Sequence, residues 1–327
     1  MARIDIAIPC YNYAHFLPEC IGSVLSQDID VRVVIIDNAS SDGSAELARE
    51  LAAQDRRIEV ICHETNVGPN ASFNEAIDLA RAEYFLILCA DDLLTPDTLR
   101  HGLAFLDANP TAAFALGANA DMWQGGELPR QRGGGMLTDG AAFIERSSLA
   151  MGNGIPAHAL LARTTAQKAA GYYRASLPFC DDLELALRLA LAGDVAELAM
   201  PIAVRRIHSS NLSVSTWNDR LLVLREREKA FESFFANEGA SMPNRPRLNR
   251  IVKQRLGEAA YWSALSHFVR RRAPEGTELL RFALSLNPKS RFFPPLGHLY
   301  RTEGVARRVG AIASFNLGVV KRVEGRQ

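Results

Sequence analysis

The chain has 327 residues, 48% of them hydrophobic, and equal numbers of basic and acidic side chains, 37 of each. That is room for one large domain and an appendage with a core that needs no disulfide or structural metal. No stretch approaches the roughly 20 continuous apolar residues of a membrane span, which excludes an expected transmembrane helix.

The first element is Ile4-Asp5-Ile6-Ala7-Ile8, a strand that stops at Pro9-Cys10-Tyr11-Asn12-Tyr13. It starts so near Met1 that no signal peptide is expected. A helix follows over roughly His15 to Gln27. Val31 to Ile36 reads as a second buried strand, ending in Asp37 and the small polar loop Asn38 to Ser44. A helix (Ala45 to Gln54), a short strand (Ile58 to Cys62), the loop Asn66-Val67-Gly68-Pro69 and a helix to about Ala82 come next. The apolar run Tyr84 to Ala90 then has the length and content of a buried strand. Strands alternating with helices at this spacing imply βαβ units and a parallel sheet.

Asp91-Asp92 closes that last run. In open α/β sheets ligands bind beyond the carboxyl ends of the strands. Two adjacent acids there repel each other unless a cation or hydrogen bonds offset the charge, and a hard divalent ion shared with a phosphate does so. The same pair also reads as the cap of a helix starting near Pro96, and the residues alone leave both readings open.

Beyond about residue 120 the glycines from Gln124-Gly125-Gly126 to Gly133-Gly134-Gly135 predict a surface loop without a phosphate-binding signature. Helix Asp139 to Ala150, a strand near Ala159 to Ala162, a short helix ended by Gly171 and helix Asp182 to Ala192 follow. Ala196 to Met200 and Ala203 to Ile207 read as short strands. From Trp217 the pattern is helical, with helices near Leu248 to Val269 and Glu275 to Leu286. The tail Gly304 to Val323 mixes Arg307, Arg308, Lys321 and Arg322 with apolar residues, and reads as an interfacial amphipathic helix or as a terminal helix docked on the protein.

The ordered set Pro9-Cys10-Tyr11-Asn12, Asp37 with Asp42-Gly43-Ser44, Asn66-Val67-Gly68 and Cys89-Ala90-Asp91-Asp92 resembles the family 2 glycosyltransferases of the GT-A fold. Phe179-Cys180-Asp181-Asp182-Leu183 resembles that family's acidic pair before a helix. Arg206-Ile207-His208-Ser209-Ser210-Asn211 resembles its late histidine segment. The resemblance covers roughly residues 3 to 215. It implies an α/β GT-A domain over 1–215, with a Rossmann-like, mostly parallel sheet flanked by helices, a nucleotide-binding half (1–120) and an acceptor half (121–215). Residues 216–327 would form a basic α-helical C-terminal region.

The same resemblance implies an inverting transfer of a sugar from a nucleotide-diphosphate donor to a hydroxyl. Pro9, Tyr11, Asp37, Asn66, Gly68 and Asp91 fall around the nucleotide. A strand-end carboxylate such as Asp37 accepts the imide hydrogen of uracil or thymine, which favours a UDP- or dTDP-type donor. Asp92 and His208 would hold Mg²⁺ or Mn²⁺, and Asp182, with Asp181 beside it, would be the base. Asn74 reads as a nucleotide contact or as a cap of its own helix. Two departures stand out: Cys89 occupies a position where many relatives carry an acid, and the pair at 181–182 is Asp-Asp where Glu-Asp is usual. The first leaves room for a catalytically silent nucleotide-sugar-binding protein. A sugar nucleotidyltransferase would need a glycine-rich basic loop after the first strand, where this chain has Pro9 to Tyr13.

Residues 1–200 carry 14 basic and 27 acidic side chains (−13), and residues 201–327 carry 23 and 10 (+13). The basic part either packs on the acidic one or meets an anionic surface, and clusters such as Arg270-Arg271-Arg272 point to the surface. No nucleic-acid motif is present, so the expected partners are an anionic membrane and a saccharide or lipid-linked acceptor, in surface polysaccharide, O-antigen or glycolipid assembly. Cys10, Cys20, Cys62, Cys89 and Cys180 form no Cys-x-x-Cys and read as reduced packing residues, as in a cytoplasmic protein, here one peripheral to the inner face of the plasma membrane.

Overall fold

A computed structural model describes residues 2–118, 120–122, 128, 134–152, 160–208, 211 and 219–301. The chain divides into two compact units, Met1–Val252 and Lys253–Gln327.

The first unit is built on an eight-stranded sheet. Its strands are β1 (Ile4–Cys10), β2 (Val31–Asp37), β3 (Ile58–Cys62), β4 (Tyr84–Ile87), β6 (Ala112–Leu116), β8 (Gly135–Thr138), β9 (Leu161–Arg163) and β10 (Asp194–Leu198), in the order β3-β2-β1-β4-β9-β6-β10-β8. The strands β3, β2, β1 and β4 run parallel, as do β6 and β10. The strands β9 and β8 enter antiparallel. Ile4, Ile6, Ile8, Val33, Ile35 and Leu86 are buried in one cluster with Leu17, Ile21 and Val24. Each such side chain contributes about 1.5–3 kcal/mol on leaving water.

Helices α1 (Leu17–Leu25), α2 (Ser44–Gln54), α3 (Pro69–Leu79) and α4 (Thr98–Ala108) make the connections of the parallel half. Helices α5 (Gly140–Leu149), α6 (Thr164–Ala170) and α7 (Asp181–Ala192) serve the other half, and α8 (Arg220–Ala236) packs on α7. A separate three-stranded ribbon has the order β5 (Leu93–Leu94), β11 (Ala203–Arg206), β7 (Asp121–Met122).

Two expectations need correction, and one strand was not expected at all. The helix expected from Pro96 starts at Thr98, because the chain first forms β5. Most of the glycine-rich segment lies outside the described residues, but Gly135–Thr138 forms an edge strand against β10 rather than a loop. The alanine-rich stretch Ala112–Leu116 carries little strand propensity of its own and becomes a strand between β9 and β10.

In the second unit, the part of α9 (Arg245–Val269) beyond Lys253 pairs with α10 (Ala273–Leu286) as a hairpin. Its backbones come close at Gly257, where an added Cβ would lie 3.3 Å from the Ala283 carbonyl. A 3₁₀ turn (Pro288–Arg291) and α11 (Gly297–Arg301) follow. The expected amphipathic tail, Gly304 to Val323, lies outside the described residues. No described helix is long and apolar enough to cross a membrane.

Candidate active site

Three neighbouring parallel strands deliver their carboxyl ends to one edge. Cys10 pairs in register with Asp37, and Ala7 with Ile87. Tyr11, Asp37 and the loop holding Asp91 therefore open on the same side of the sheet, where the strand-end carbonyls and loop amides are left for a ligand.

The nucleotide-side loops are braced by short polar side chains. Asn12 sits at a φ of 58°, a left-handed conformation asparagine tolerates, and its Oδ1 accepts from the Ser41 amide at 2.8 Å. Ser40 Oγ accepts from the Asn12 amide, and Asp42 Oδ2 from the Ala14 amide at 3.0 Å. Asp37 is buried; its Oδ2 accepts from the Ser40 amide at 3.0 Å, and its Oδ1 is buried without a hydrogen-bond partner. Tyr11 stands 46% exposed beside it, and Pro9 pairs with Ile36 at the end of β1.

Asn66 shapes its own loop: its Oδ1 accepts from the Gly68 amide at 2.9 Å and from Asn38 Nδ2 at 3.0 Å. Gly68 has a φ of 85° and open space where a Cβ would stand. A side chain there would be strained by the backbone alone. His63, which stands in no recognisable motif, holds the neighbouring Asn38 Oδ1 at 3.1 Å and Glu75 Oε2 at 2.7 Å.

The acid pair after β4 is built by the small ribbon. Because β11 runs antiparallel to β5, with Val204 opposite Leu93, the chain returns directly over the pair. The Arg206 amide donates to Asp92 Oδ1 at 3.1 Å. His208 Nε2 lies 3.1 Å from Asp91 Oδ2, and Asn211 Nδ2 donates to the same oxygen at 2.9 Å. The imidazole is packed against Phe16 (4.6 Å between ring centres) and edge-on to Tyr13 (5.7 Å). The Tyr13 hydroxyl also bonds Asp91, and burial with that carboxylate raises its pKa.

Asp91 and Asp92 are both buried. Burial first, then the Asp91 charge, pushes the Asp92 carboxyl well above its ordinary range. Among the described residues, Cys89, Asp91 and Asp92 form the group whose donor atoms lie within 4.8 Å of one another. Burial, then Asp92 and Asp91, drive the Cys89 thiol well above its ordinary value, and its sulfur is a soft donor ill matched to a hard ion. The donors that remain are two hard carboxylates, which fit Mg²⁺ or Mn²⁺. His208, expected among the metal ligands, is turned to Asp91, while Asp91, expected beside the nucleotide, belongs to the closest donor group.

The second acid pair lies in the first turn of α7, after an N-cap at Cys180 that makes no side-chain cap. Asp181 Oδ1 accepts from the Asp182 amide at 3.0 Å and its Oδ2 from Asn70 Nδ2 at 3.0 Å. Burial raises Asp181 to about 6. Asp182 is raised well above its ordinary value, by burial and then by Asp181, and the Tyr173 hydroxyl bonds it and opposes the shift. Asp182 also acts electrostatically on Cys89, two residues before Asp91, and both acids of this pair act on Tyr173.

Tyr173 and Asn70 were not legible as site residues. Their places are fixed by long-range contacts: Asn74 of α3 accepts from the Tyr173 amide at 2.7 Å and donates to its carbonyl at 3.0 Å. Asn74 thus spends its amide on Tyr173 rather than capping its own helix. Arg174, next in sequence, is ion-paired to the fully buried Glu184 and to Glu238, and Glu184 is paired in turn to Arg188 at 2.8 Å.

Residues 5–165 match the sequence model of the family described as Glycosyl transferase family 2. Through this segment the chain belongs to glycosyl transferase family 2. It is 27% identical over 222 residues to an uncharacterized protein of Mycobacterium tuberculosis, covering 64% of this chain and 60% of that one. The chain thus spans less than two thirds of that curated relative. Two solved structures share the fold. A mannosyltransferase of Pyrobaculum calidifontis, PcManGT, in complex with GDP-Man and Mn²⁺, aligns with a TM-score of 0.57 at 17% identity over 100% of this chain and 88% of its own. Residues 1–349 of TarS from S. aureus, in complex with UDP-GlcNAc, align with a TM-score of 0.55 at 16% identity over 88% of this chain and 91% of theirs. The family 2 assignment agrees with the GT-A fold, the mixed sheet and the helical C-terminal part.

Proposed function

We propose that this family 2 domain transfers a sugar from a nucleotide-diphosphate donor to a hydroxyl acceptor by a single inverting displacement. The observation that carries the reading is the buried pair Asp91-Asp92 at the carboxyl edge of β1, β2 and β4, with a second pair, buried Asp181 and half-buried Asp182, near enough to act electrostatically on the neighbouring Cys89. PcManGT, which shares the fold, binds GDP-Man and Mn²⁺, and TarS binds UDP-GlcNAc; both support a nucleotide-sugar donor here.

In this reading the base lies between Tyr11, Pro9 and the loop at Asn66 and Gly68. The unpartnered Asp37 Oδ1 accepts the imide hydrogen of a uracil or thymine, which favours a UDP- or dTDP-type donor. Asp91 and Asp92 would hold Mg²⁺ or Mn²⁺, with His208 and Asn211 fixing Asp91. A divalent ion at these carboxylates supplies charge neutralisation for the leaving diphosphate. Asp182 takes the proton of the acceptor hydroxyl as its oxygen bonds the anomeric carbon. The bond from that carbon to the diphosphate oxygen breaks, and its electron pair leaves with the diphosphate. Asp182 suits the base because Asp181 has both oxygens engaged, whereas Asp182 holds the Tyr173 hydroxyl.

The acceptor is a saccharide or a lipid-linked saccharide of a surface polysaccharide, O-antigen or glycolipid. The basic C-terminal region meets an anionic membrane from the cytoplasmic side, as a peripheral attachment. The test is transfer or donor hydrolysis with Mn²⁺, comparing the natural chain with Asp92→Ala and Asp182→Asn. Each variant is expected to lose at least about a hundredfold in rate. Unchanged turnover in both removes the mechanism.

A further inference from the structure

The second unit carries an apolar feature that the fold does not use. After α10 the chain makes the 3₁₀ turn Pro288–Arg291 and then presents Phe292 and Phe293, each 76% exposed, followed by Leu296 at 56%. A single exposed apolar side chain is ordinary, but two adjacent phenylalanines and a leucine within five residues are not.

The segment is held in place. The Phe292 and Phe293 amides both donate to the Lys289 carbonyl at 3.0 Å. The Trp262 indole of α9 donates to the Pro295 carbonyl at 3.1 Å, and the amides of Leu296 and His298 donate to the Pro294 and Pro295 carbonyls. Ser290 is buried beneath the turn. Hydrogen bonds inside the unit thus hold the backbone while the rings point out.

The charge around the rings selects the partner. Lys289 and Arg291 flank them and are exposed. The unit carries 14 basic against 5 acidic side chains between residues 253 and 327. Of those acids, Glu258 is buried and spent on Gln254, Arg255 and Arg301. A surface that accepts aromatic rings and attracts cations at once is the interface of an anionic bilayer. There phenylalanine rings enter the boundary between headgroups and acyl chains, while lysine and arginine stay with the lipid phosphates. A protein partner matching the rings alone would gain nothing from the surrounding positive charge.

We propose that Phe292, Phe293 and Leu296, flanked by Lys289 and Arg291, form a membrane-inserting anchor for an anionic lipid surface. The proposal rests on reading the basic C-terminal region as membrane-facing, and names the element that does the inserting.

The test uses the full chain. Sedimentation with vesicles of phosphatidylcholine alone, and with about one third phosphatidylglycerol, is measured for the natural chain, for Phe292→Ser/Phe293→Ser and for Lys289→Glu/Arg291→Glu. The side chains replaced are exposed, so all forms should fold, and circular dichroism checks that they do. The natural chain should bind the anionic vesicles, and each double variant should bind them about tenfold or more weakly, the loss expected from withdrawing two rings or reversing two charges. If the natural chain binds and the phenylalanine variant binds equally, this anchor is refuted while the membrane-facing region stands. If the natural chain does not partition, or if exposure of the rings instead yields a dimer lost in the phenylalanine variant, both readings are overturned.

Discussion

Replacing Tyr173 with phenylalanine isolates one bond in the candidate site. The tyrosine is buried, its ring lies 5.1 Å from that of Phe73, and its backbone is clamped by Asn74, so the variant keeps the packing and loses the hydroxyl. That hydroxyl favours the charged form of Asp182, against burial and Asp181, which both favour the neutral form. A hydrogen bond to a charged group contributes about 1.5–3 kcal/mol, and 1.36 kcal/mol corresponds to one pKa unit. Asp182 is only half-buried by area, so the lower end applies. The expected shift is about one unit, upward.

The working form of the base is the carboxylate. The rise of kcat/KM with pH should therefore move about one unit toward higher pH in Tyr173→Phe. Well below the midpoint the variant should be about tenfold slower; well above it the two enzymes should converge. The assay is transfer at subsaturating donor across pH 5 to 9 or so, with thermal melts to show that both forms are folded throughout. A profile that stays in place, or one that moves to lower pH, refutes the placement of Tyr173 as a positioning residue for the base.

Glu184→Gln should destabilise the first unit by roughly 3–5 kcal/mol, because it leaves Arg174 and the buried Arg188 without their common partner; urea unfolding reads this, and a change under about 1 kcal/mol contradicts it. Asp92→Asn keeps an acceptor for the Arg206 amide but removes a carboxylate whose folded pKa is raised. A raised carboxylate favours folding below its unfolded pKa and loses that contribution as pH rises through the folded value. In metal-free buffer near pH 8 the variant should therefore melt higher than the natural chain, and the gap should close as pH falls toward 4. Added Mn²⁺ should stabilise the natural chain and not the variant; equal stabilisation contradicts a cation at Asp92.

Much of the parallel half was legible because its strands are largely apolar runs ending in small polar loops. Val31 to Ile36 and Tyr84 to Ile87 have few other places to go than a doubly covered sheet, and such strands put Asp37 and Asp91 at the ligand edge. The strands of the other half were harder to see. Ala112–Leu116 has four residues with alanine or leucine side chains and no period of two, and Gly135–Thr138 begins in a glycine run. Both are made strands by neighbours distant in sequence. The site divides the same way. Acids at strand ends and helix starts carry local signals, whereas Asn70 and Tyr173 acquire roles only when α3 packs against the segment before α7. Likewise, His208 meets Asp91 only through the β5–β11 pairing, so sequence order could suggest that it belongs to the site but not which atom it faces.

Calorimetric titration of UDP, dTDP and GDP, with and without Mn²⁺, reaches the central claim most directly. The account predicts that the pyrimidine diphosphates bind well only when the ion is present, and that Asp92→Ala abolishes the ion's effect while Asp182→Asn leaves it intact. Tight binding that ignores Mn²⁺ and survives Asp92→Ala would contradict it.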